Sequence, residues 1–549
     1  MGRFVKTKYW IFLIYLWTGI ITLFLIIHNP NMMGGDGVRY LVSVFNWFHG
    51  GSLSVNGKIE LLYSPGYGFV ANIINLLISD LELSGMVVSG LSFCGIVVLA
   101  YTGTKFYGGE KAGIIAAFLC SFFPLLLSQA NTTLSDTLYT FLLLGSYLWF
   151  LYTLTTKSLG LTNAILGFLL GLACLVRPDT FIVLLALILF YSVNALFKLN
   201  NNVGEIASNT KKILILIGAF VSTVSSYVAY LYCQTNQVTI SLKFSNKIYR
   251  ALGLGEPPGN YYEGGDLTFA MKNFANGIDS MLLVFFKNIL LFLNESVFQL
   301  FFAIWPLFCF FIIFLVLNKF KISSVALDAN SKNLLLGLVL FSIPIVPIIL
   351  DDPTGRYIMP YCVLFFVFIS YETSRIMNYL FKIEASTKNF SFGIILFMSL
   401  SISAHVFPGL IISKNIPHVF NVFSERQGHL GLKTAGLWIN KNMSDSHSIS
   451  VISRKPGVVL FFAAGKRDYN GKAIGLPDKP EEICPIAYNE DIEYVVFDNY
   501  YTANMKNYKK YWDNPQLAYE IGLELIYQNK DIFQLYKISK MNEKGSSGK

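Results

Sequence analysis

Residues 9–27 read YWIFLIYLWTGIITLFLII, and after a short interruption residues 34–40 read GGDGVRY. The first run is long enough to cross a bilayer as a helix, which takes about 20 apolar residues. The second sets a carboxylate and a guanidinium just beyond its end. Asp36 and Arg39 are three positions apart and so share one face of a helix. An Asp at a membrane surface can accept a proton, and an Arg beside it can hold a phosphate.

The remainder of the chain repeats the first signal many times. Its 549 residues are 54% hydrophobic and 14% charged, with a mean hydropathy of +0.52, far more apolar surface than one soluble core buries. A polytopic membrane protein is expected. The formal net charge of +9 comes from Lys and Arg scattered over short loops, which reads as membrane topology and not as a nucleic-acid surface. The seven Cys residues have no paired spacing and no Cys-x-x-Cys, so neither a disulfide framework nor a zinc site is implied. The basic start at Arg3, Lys6 and Lys8 precedes a run too long and aromatic for a cleaved leader, so it is read as an uncleaved first helix.

After the first run, apolar windows recur near 83–101, 111–129, 134–153, 160–176, 179–197, 212–232, 297–318, 333–350, 357–375 and 390–410. Lipid cannot satisfy backbone polar groups, so each window is expected to be helical, about eleven spans in all. With the N-terminus in the cytoplasm, Lys105, Lys157, Lys198, Lys319 and Arg375 all fall in cytoplasmic loops, as the positive-inside rule requires. An odd number of spans puts everything after about Pro408 outside. The membrane part is thus 1–423, with long outer loops at about 28–82 and 233–296. The first loop holds an amphipathic stretch, 38–48, suited to a helix in the headgroup plane; the second holds turn-rich residues 252–259 and a helical pattern over about 267–293.

From 424 to 540 the sequence turns polar. A helix is expected near Lys433–Met443, strands at Ser448–Ser453, Glu493–Asp498 and Ile532–Ile538, and a long helical pattern at about Met505–Ile526. This reads as a small extracytoplasmic α/β domain, followed by a flexible tail at 541–549. The expected fold is therefore an all-α polytopic membrane protein carrying a small C-terminal α/β domain, located in the plasma membrane.

No Asp, Glu, Lys or Arg falls at the centre of an expected span. The notable ionisable residues cluster at outer ends: Asp36 and Arg39, Asp136, Arg177 with Asp179, and Asp351, Asp352 and Arg356. Charges at membrane depth are costly, so their placement at one level is a functional signal. A flippase or exporter of lipid-linked glycans is the competing class, and it calls for a charged path through the spans. A third possibility is a membrane scaffold presenting residues 424–540 as a binding module. Outward cations instead suit a lipid phosphate at headgroup depth, with Arg39, Arg177 and Arg356 as its ligands. Asp36 is the candidate base that takes the proton of an acceptor hydroxyl. Asp136 is a second carboxylate, available to orient the acceptor or to hold a divalent ion.

At these positions the chain resembles the GT-C fold glycosyltransferases, in particular the branch of the protein O-mannosyltransferases and lipid-A aminoarabinose transferases. Asp36-Gly37-Val38-Arg39-Tyr40 is similar to their Asp-Glu-x-Arg-Tyr motif after the first span, and Tyr63-Ser64-Pro65-Gly66-Tyr67 to their aromatic-x-Pro turn. Leu134-Ser135-Asp136-Thr137 resembles the second acidic position, the stretch from Gly171 to Asp179 the Gly-Leu-Ala to Arg-Pro junction, and Gly355-Arg356-Tyr357-Ile358-Met359-Pro360 the late Arg-Tyr-x-x-Pro. Gly37 stands where the family carries a second acid, and Ser64 where some members have Lys. The resemblance implies a sugar donor on polyprenyl phosphate and a lipid, glycan or protein acceptor, with membrane lipids as surroundings and no nucleic acid. It further implies substrate contacts from Tyr40, Tyr63, Pro65, Tyr67 and Tyr357.

Each of these residues also has a plainer use. Asp36 and Asp136 both sit where a helix N-terminus favours an acid. Arg177 and Arg356 can anchor spans by reaching for headgroups. Asn131, Asn294 and Asn442 begin Asn-x-Ser/Thr triplets, a pattern frequent by chance.

Overall fold

The computed structural model describes residues 2–28, 34–55, 58–156, 160–197, 203–236, 241, 328–345, 355–380, 430–443, 449–465, 471–503, 505–529 and 532–539. The expected spans at 297–318 and 390–410, the features assigned to 252–293, Asp351, Asp352, Asn294 and the tail lie outside these residues.

The membrane part begins with α1 (Gly2–His28) and α2 (Gly35–Phe48), followed by a two-residue antiparallel ribbon, β1 (Ser54–Val55) with β2 (Lys58–Ile59). Within α1 the hydroxyls of Thr18 and Thr22 donate to the carbonyls of Ile14 and Thr18, both at 2.7 Å, so the apolar helix carries no unpaired hydroxyl there. The amphipathic stretch expected at 38–48 is α2. It buries Val38, Leu41, Val42 and Val44, leaves Trp47 and Phe48 exposed, and ends before Gly50, whose φ of +84° only glycine adopts without strain.

Helix α3 (Gly66–Ile78) lies directly on α2. A methyl group on Gly68 would come within 2.0 Å of the Tyr40 carbonyl oxygen, and the Asn72 amide donates across the contact to the Leu41 carbonyl at 3.1 Å. Next comes α4 (Leu81–Phe122), started by the Asp80 side chain, which accepts from the Leu83 N–H. Its 42 residues are interrupted at Gly109 (φ 78°), which separates the windows expected at 83–101 and 111–129. Helices α5 (Pro124–Gln129), α6 (Asp136–Thr155), α7 (Leu161–Val176), α8 (Thr180–Phe197) and α9 (Val203–Thr235) follow, then α10 (Ala329–Ser342) and α11 (Gly355–Leu380). Five of the described helices are long and apolar enough to cross a membrane: Tyr9–Ile27, Leu81–Phe122, Asp136–Thr155, Ala207–Gln234 and Arg356–Arg375. Helices α3, α7 and α8 are apolar but shorter, and α10 has 14 residues. The chain is an integral membrane protein.

Residues 430–538 form a five-stranded mixed sheet in the order β4-β3-β5-β7-β6. Strand β3 (Val451–Ser453) runs parallel to both β4 (Ala473–Gly475) and β5 (Tyr494–Asp498), whereas β7 (Phe533–Ile538) is antiparallel to β5 and to β6 (Leu523–Asn529). Alternation along each strand sorts its side chains between two layers. Val451, Val496 and Leu535 join one core with α12 (Leu430–Asn442) and α13 (Pro456–Ala463), while Ile452, Val495, Phe497 and Tyr536 join another with α14 (Ile483–Glu490). The first core is continuous with that of the membrane helices. The interface also holds a part-buried ion pair, Lys433 Nζ to Glu82 Oε2 at 3.2 Å.

The helical pattern read at Met505–Ile526 is not one helix. Only Lys509–Asp513 is α-helical there, because Pro515 starts a short 3₁₀ segment and Gly522, at φ 79°, ends it and leads into β6. Asn131 is buried and donates to the Leu25 carbonyl at 3.1 Å, so it is inaccessible to modification in the folded chain. Packing at Gly68 yields a direct check. Gly68→Ala forces α2 and α3 apart and is expected to destabilise the protein by about 1–3 kcal/mol or more, read as a lower unfolding temperature in detergent. An unchanged unfolding temperature contradicts the close approach.

Candidate active site

One cavity of about 830 Å³ is lined by parts of the chain that are remote in sequence: the start of α2, the turn before α3, the head of α6, the α7–α8 turn, the inner faces of α8 and α9, and the start of α11. Its polar end is a set of ion pairs. At the α7 terminus, Pro178 forces the preceding residue into extended geometry, and Arg177 has φ −145° and ψ 122°. The helix therefore stops, and the guanidinium turns inward. Arg177 Nη1 donates to Asp136 Oδ1 and Nη2 to Asp179 Oδ2, each at 3.0 Å. The same group stacks near the rings of Tyr139 and Tyr357, 4.9 and 4.8 Å from their centroids. With side-chain exposures of 7% for Arg177 and 5% for Asp136, this pair is the closed side of the cavity.

The open side is built on Asp36, in the first turn of α2. Its Oδ1 accepts from the Tyr63 hydroxyl at 3.0 Å and its Oδ2 from Arg356 Nη2 at 3.1 Å, across 320 residues of sequence. Arg356 also donates to the Tyr357 hydroxyl at 2.8 Å. Here the side-chain exposures are 32% for Asp36 and 29% for Arg356, so of the acid–guanidinium pairs lining the cavity this one is open enough to meet a bound molecule. Tyr40 completes the polar wall: its ring packs edge-on to Tyr63, and its hydroxyl accepts from Ser135 at 2.9 Å. The opposite wall is apolar. Phe181, Leu185 and Val221 line it and are also exposed on the surface of the helix bundle, so the wall continues to the face that lipid would cover.

Asp36, Tyr40, Tyr63, Asp136, Arg177, Arg356 and Tyr357 thus line one cavity, as the sequence pattern anticipates. Arg39, Pro65 and Tyr67 do not. Arg39 is engaged through Nε and Nη2 by the buried carboxylate of Glu60, which also accepts the backbone N–H groups of Leu62 and Tyr63. The Arg39 guanidinium lies 4.9 Å from the Tyr63 ring centroid, so it supports that ring from behind. Pro65 precedes the first turn of α3, and Tyr67 is fully buried with its hydroxyl on the Gly85 carbonyl at 2.8 Å. Glu60 escapes the motif reading, although a lone acid three residues before Tyr63 is the signal that a half-buried Arg39 requires. Asp179, Ser64 and Ser135 also line the cavity.

Among the described residues the lining does not fit a divalent cation. Among the described residues no three His, Cys, Asp or Glu side chains come together, and the carboxylates Asp36, Asp136 and Asp179 each face a guanidinium. A cation beside them would meet positive charge.

A sequence profile of the dolichyl-phosphate-mannose-protein mannosyltransferases matches residues 63–233, which include Tyr63, Asp136 and Arg177. The chain has the fold of ArnT from Cupriavidus metallidurans bound to undecaprenyl phosphate, with a TM-score of 0.59 at 9% identity over 97% of this chain and 98% of that one. The Archaeoglobus fulgidus oligosaccharyltransferase in complex with Zn and sulfate superposes at a TM-score of 0.48 and 14% identity, covering 96% of this chain and 73% of that one, too distant to carry an inference. No curated protein sequence matches. The chain resembles the GT-C fold glycosyltransferases.

The Arg39–Glu60 contact can be tested apart from chemistry. Glu60→Gln leaves the guanidinium without its counter-charge and is expected to cost about 2–4 kcal/mol of stability, partly recovered in Arg39→Met/Glu60→Gln. Equal stability of Glu60→Gln and the parent protein, in a double-mutant cycle, contradicts the pairing.

Proposed function

We propose that this protein is a membrane glycosyltransferase that moves a sugar from a polyprenyl-phosphate carrier to an acceptor hydroxyl on the extracytoplasmic side. The observation that carries the reading is a partly exposed Asp36–Arg356 pair at the polar end of a cavity whose other wall is apolar and runs out to the lipid-facing surface. A molecule with an ionic head and a hydrocarbon tail matches both ends at once. The tail lies along Phe181, Leu185 and Val221 of α8 and α9. The phosphate meets Arg356, with Arg177 held behind it as a fixed positive charge.

Arg177 has two carboxylate partners and two flanking rings, so its part is to hold the polar wall and contribute field. Asp136, buried against it, orients that guanidinium. Asp36 is the general base. As the acceptor oxygen attacks the anomeric carbon, the bond from that carbon to the phosphate oxygen breaks, and its electron pair leaves with the polyprenyl phosphate. The acceptor proton passes to an Asp36 carboxylate oxygen, and Arg356 stabilises the charge developing on the phosphate. Tyr63 keeps the carboxylate in place through its hydroxyl. The acceptor is a lipid, glycan or protein hydroxyl, and the C-terminal sheet stands outside the plasma membrane beside it.

Asp36→Asn in purified full-length protein is expected to lower transfer from a lipid-linked donor by about a hundredfold or more while undecaprenyl phosphate still binds. Transfer at the parental rate removes Asp36 as the base. Arg356→Ala is expected to weaken undecaprenyl phosphate binding by about tenfold; unaltered affinity takes Arg356 out of the phosphate site.

A further inference from the structure

The turn between β2 and α3 is held along its length. Glu60 accepts the N–H groups of Leu62 and Tyr63, the Ser241 hydroxyl donates to the Leu62 carbonyl at 2.9 Å, and the Tyr63 hydroxyl donates to Asp36. At its far end Gly66 is set against the last turn of α7, where an added methyl group would come within 2.6 Å of the Leu175 carbonyl oxygen. The turn thus crosses from Asp36 to the residues just before Arg177, with its backbone fixed at both ends.

Ser64 stands in the middle of this turn. It lines the cavity, is 2% exposed, and its hydroxyl has no hydrogen-bond partner among the described residues. The other serines of the lining are spent: Ser135 donates to the Tyr40 hydroxyl, Ser225 to the Ser222 carbonyl and Ser241 to the Leu62 carbonyl. A buried hydroxyl without a partner is destabilising, so its persistence in a cavity wall points to a group that arrives from outside the chain. A serine hydroxyl turns about one side-chain torsion and can meet such a group with the backbone unmoved.

Charge and position say which group that is. Each acid and guanidinium in the lining faces an opposite charge. An ionised amine or carboxylate set against Ser64 would lose its water without gaining a counter-charge there. A hydroxyl both donates and accepts, and another neutral hydroxyl matches it. Asp36 is met by Tyr63 on Oδ1 and by Arg356 on Oδ2, so the turn that carries Ser64 and the guanidinium approach different oxygens of the carboxylate. A phosphate at Arg356 leaves the Ser64 side to the sugar.

We propose that Ser64 selects the donor sugar, pairing with a neutral sugar hydroxyl while the phosphate rests on Arg356. This rests on the transferase reading and deepens it: the donor sugar is neutral at this position, and a sugar lacking that hydroxyl is rejected because it leaves Ser64 buried and unpaired. The test uses the full chain in nanodiscs and measures binding of undecaprenyl phosphate, bare and carrying mannose, glucose or galactose. Ser64→Ala is expected to weaken binding of at least one sugar-loaded carrier by about tenfold or more. The affinity for bare undecaprenyl phosphate is expected to change by less than about twofold, which also reports an intact fold. Because the substitution removes an unpaired hydroxyl, the unfolding temperature is expected to stay level or rise. Unchanged affinity for every sugar-loaded carrier that the parent binds overturns the proposal. Equal weakening of bare and loaded carriers also overturns it, since Ser64 then serves the phosphate or the fold, as does a parent that binds the bare carrier and none of the loaded ones. A parent that binds neither bare nor loaded carrier sinks the transferase reading itself, and the role of Ser64 with it.

Discussion

A guanidinium taken out of water must be met from every side, and in this protein Arg177 is that group. Its two carboxylates come from the head of α6 and from its own turn, and its two aromatic neighbours from α6 and the start of α11. Losing one partner of such a buried pair typically costs about 3–5 kcal/mol. The cluster therefore fixes α6, the α7–α8 turn and α11 against one another at one level of the bundle. Tyr357 is part of the cluster, and Arg356 is its neighbour in sequence. Arg356 can reach Asp36 because Arg177 has already set where α11 begins.

That arrangement divides labour between two similar pairs. Asp136 and Arg177 are nearly closed off, so their charges act as fixed structure. Asp36 and Arg356 are partly open, and in the proposed transfer they are the pair that meets the substrate. In the proposed transfer, charge preorganised in this way lowers the cost of developing charge in the transition state, because no reorganisation is needed when the bond breaks. The second support comes from behind: Glu60 holds Arg39, Arg39 backs Tyr63, and Tyr63 holds Asp36.

Much of this was legible in the sequence, for reasons that can be named. Apolar runs report helices directly, and the Pro after Arg177 marks where a helix must stop. Acids and arginines at the ends of runs stand out because charges at membrane depth are rare. The pairing among them does not stand out: nothing in a linear sequence says that Asp36 faces Arg356 and not Arg39, three residues away. Arg39 read as a phosphate ligand because Glu60 looks like any loop acid. In the C-terminal part, the sheet core was visible at β3, β5 and β7, whose runs are apolar. By contrast, β6 breaks its alternation with Ile526, at an irregularity between Leu525 and Tyr527, and merged with the preceding segment into a false helical pattern. The Pro515 and Gly522 signals were there, and they outweigh the periodicity.

The C-terminal sheet is tied to the membrane helices by a shared core and by the Glu82–Lys433 pair. All of this depends on Asp36 and Arg356 forming the reactive end of a lipid-phosphate cavity. A structure of the full chain with a polyprenyl-phosphate sugar bound tests that most directly. The phosphate is expected within hydrogen-bond reach of Arg356, about 3 Å, with the sugar beside Asp36 and the tail along α8 and α9. A phosphate bound elsewhere, with the Asp36–Arg356 pair undisturbed and unoccupied, contradicts it.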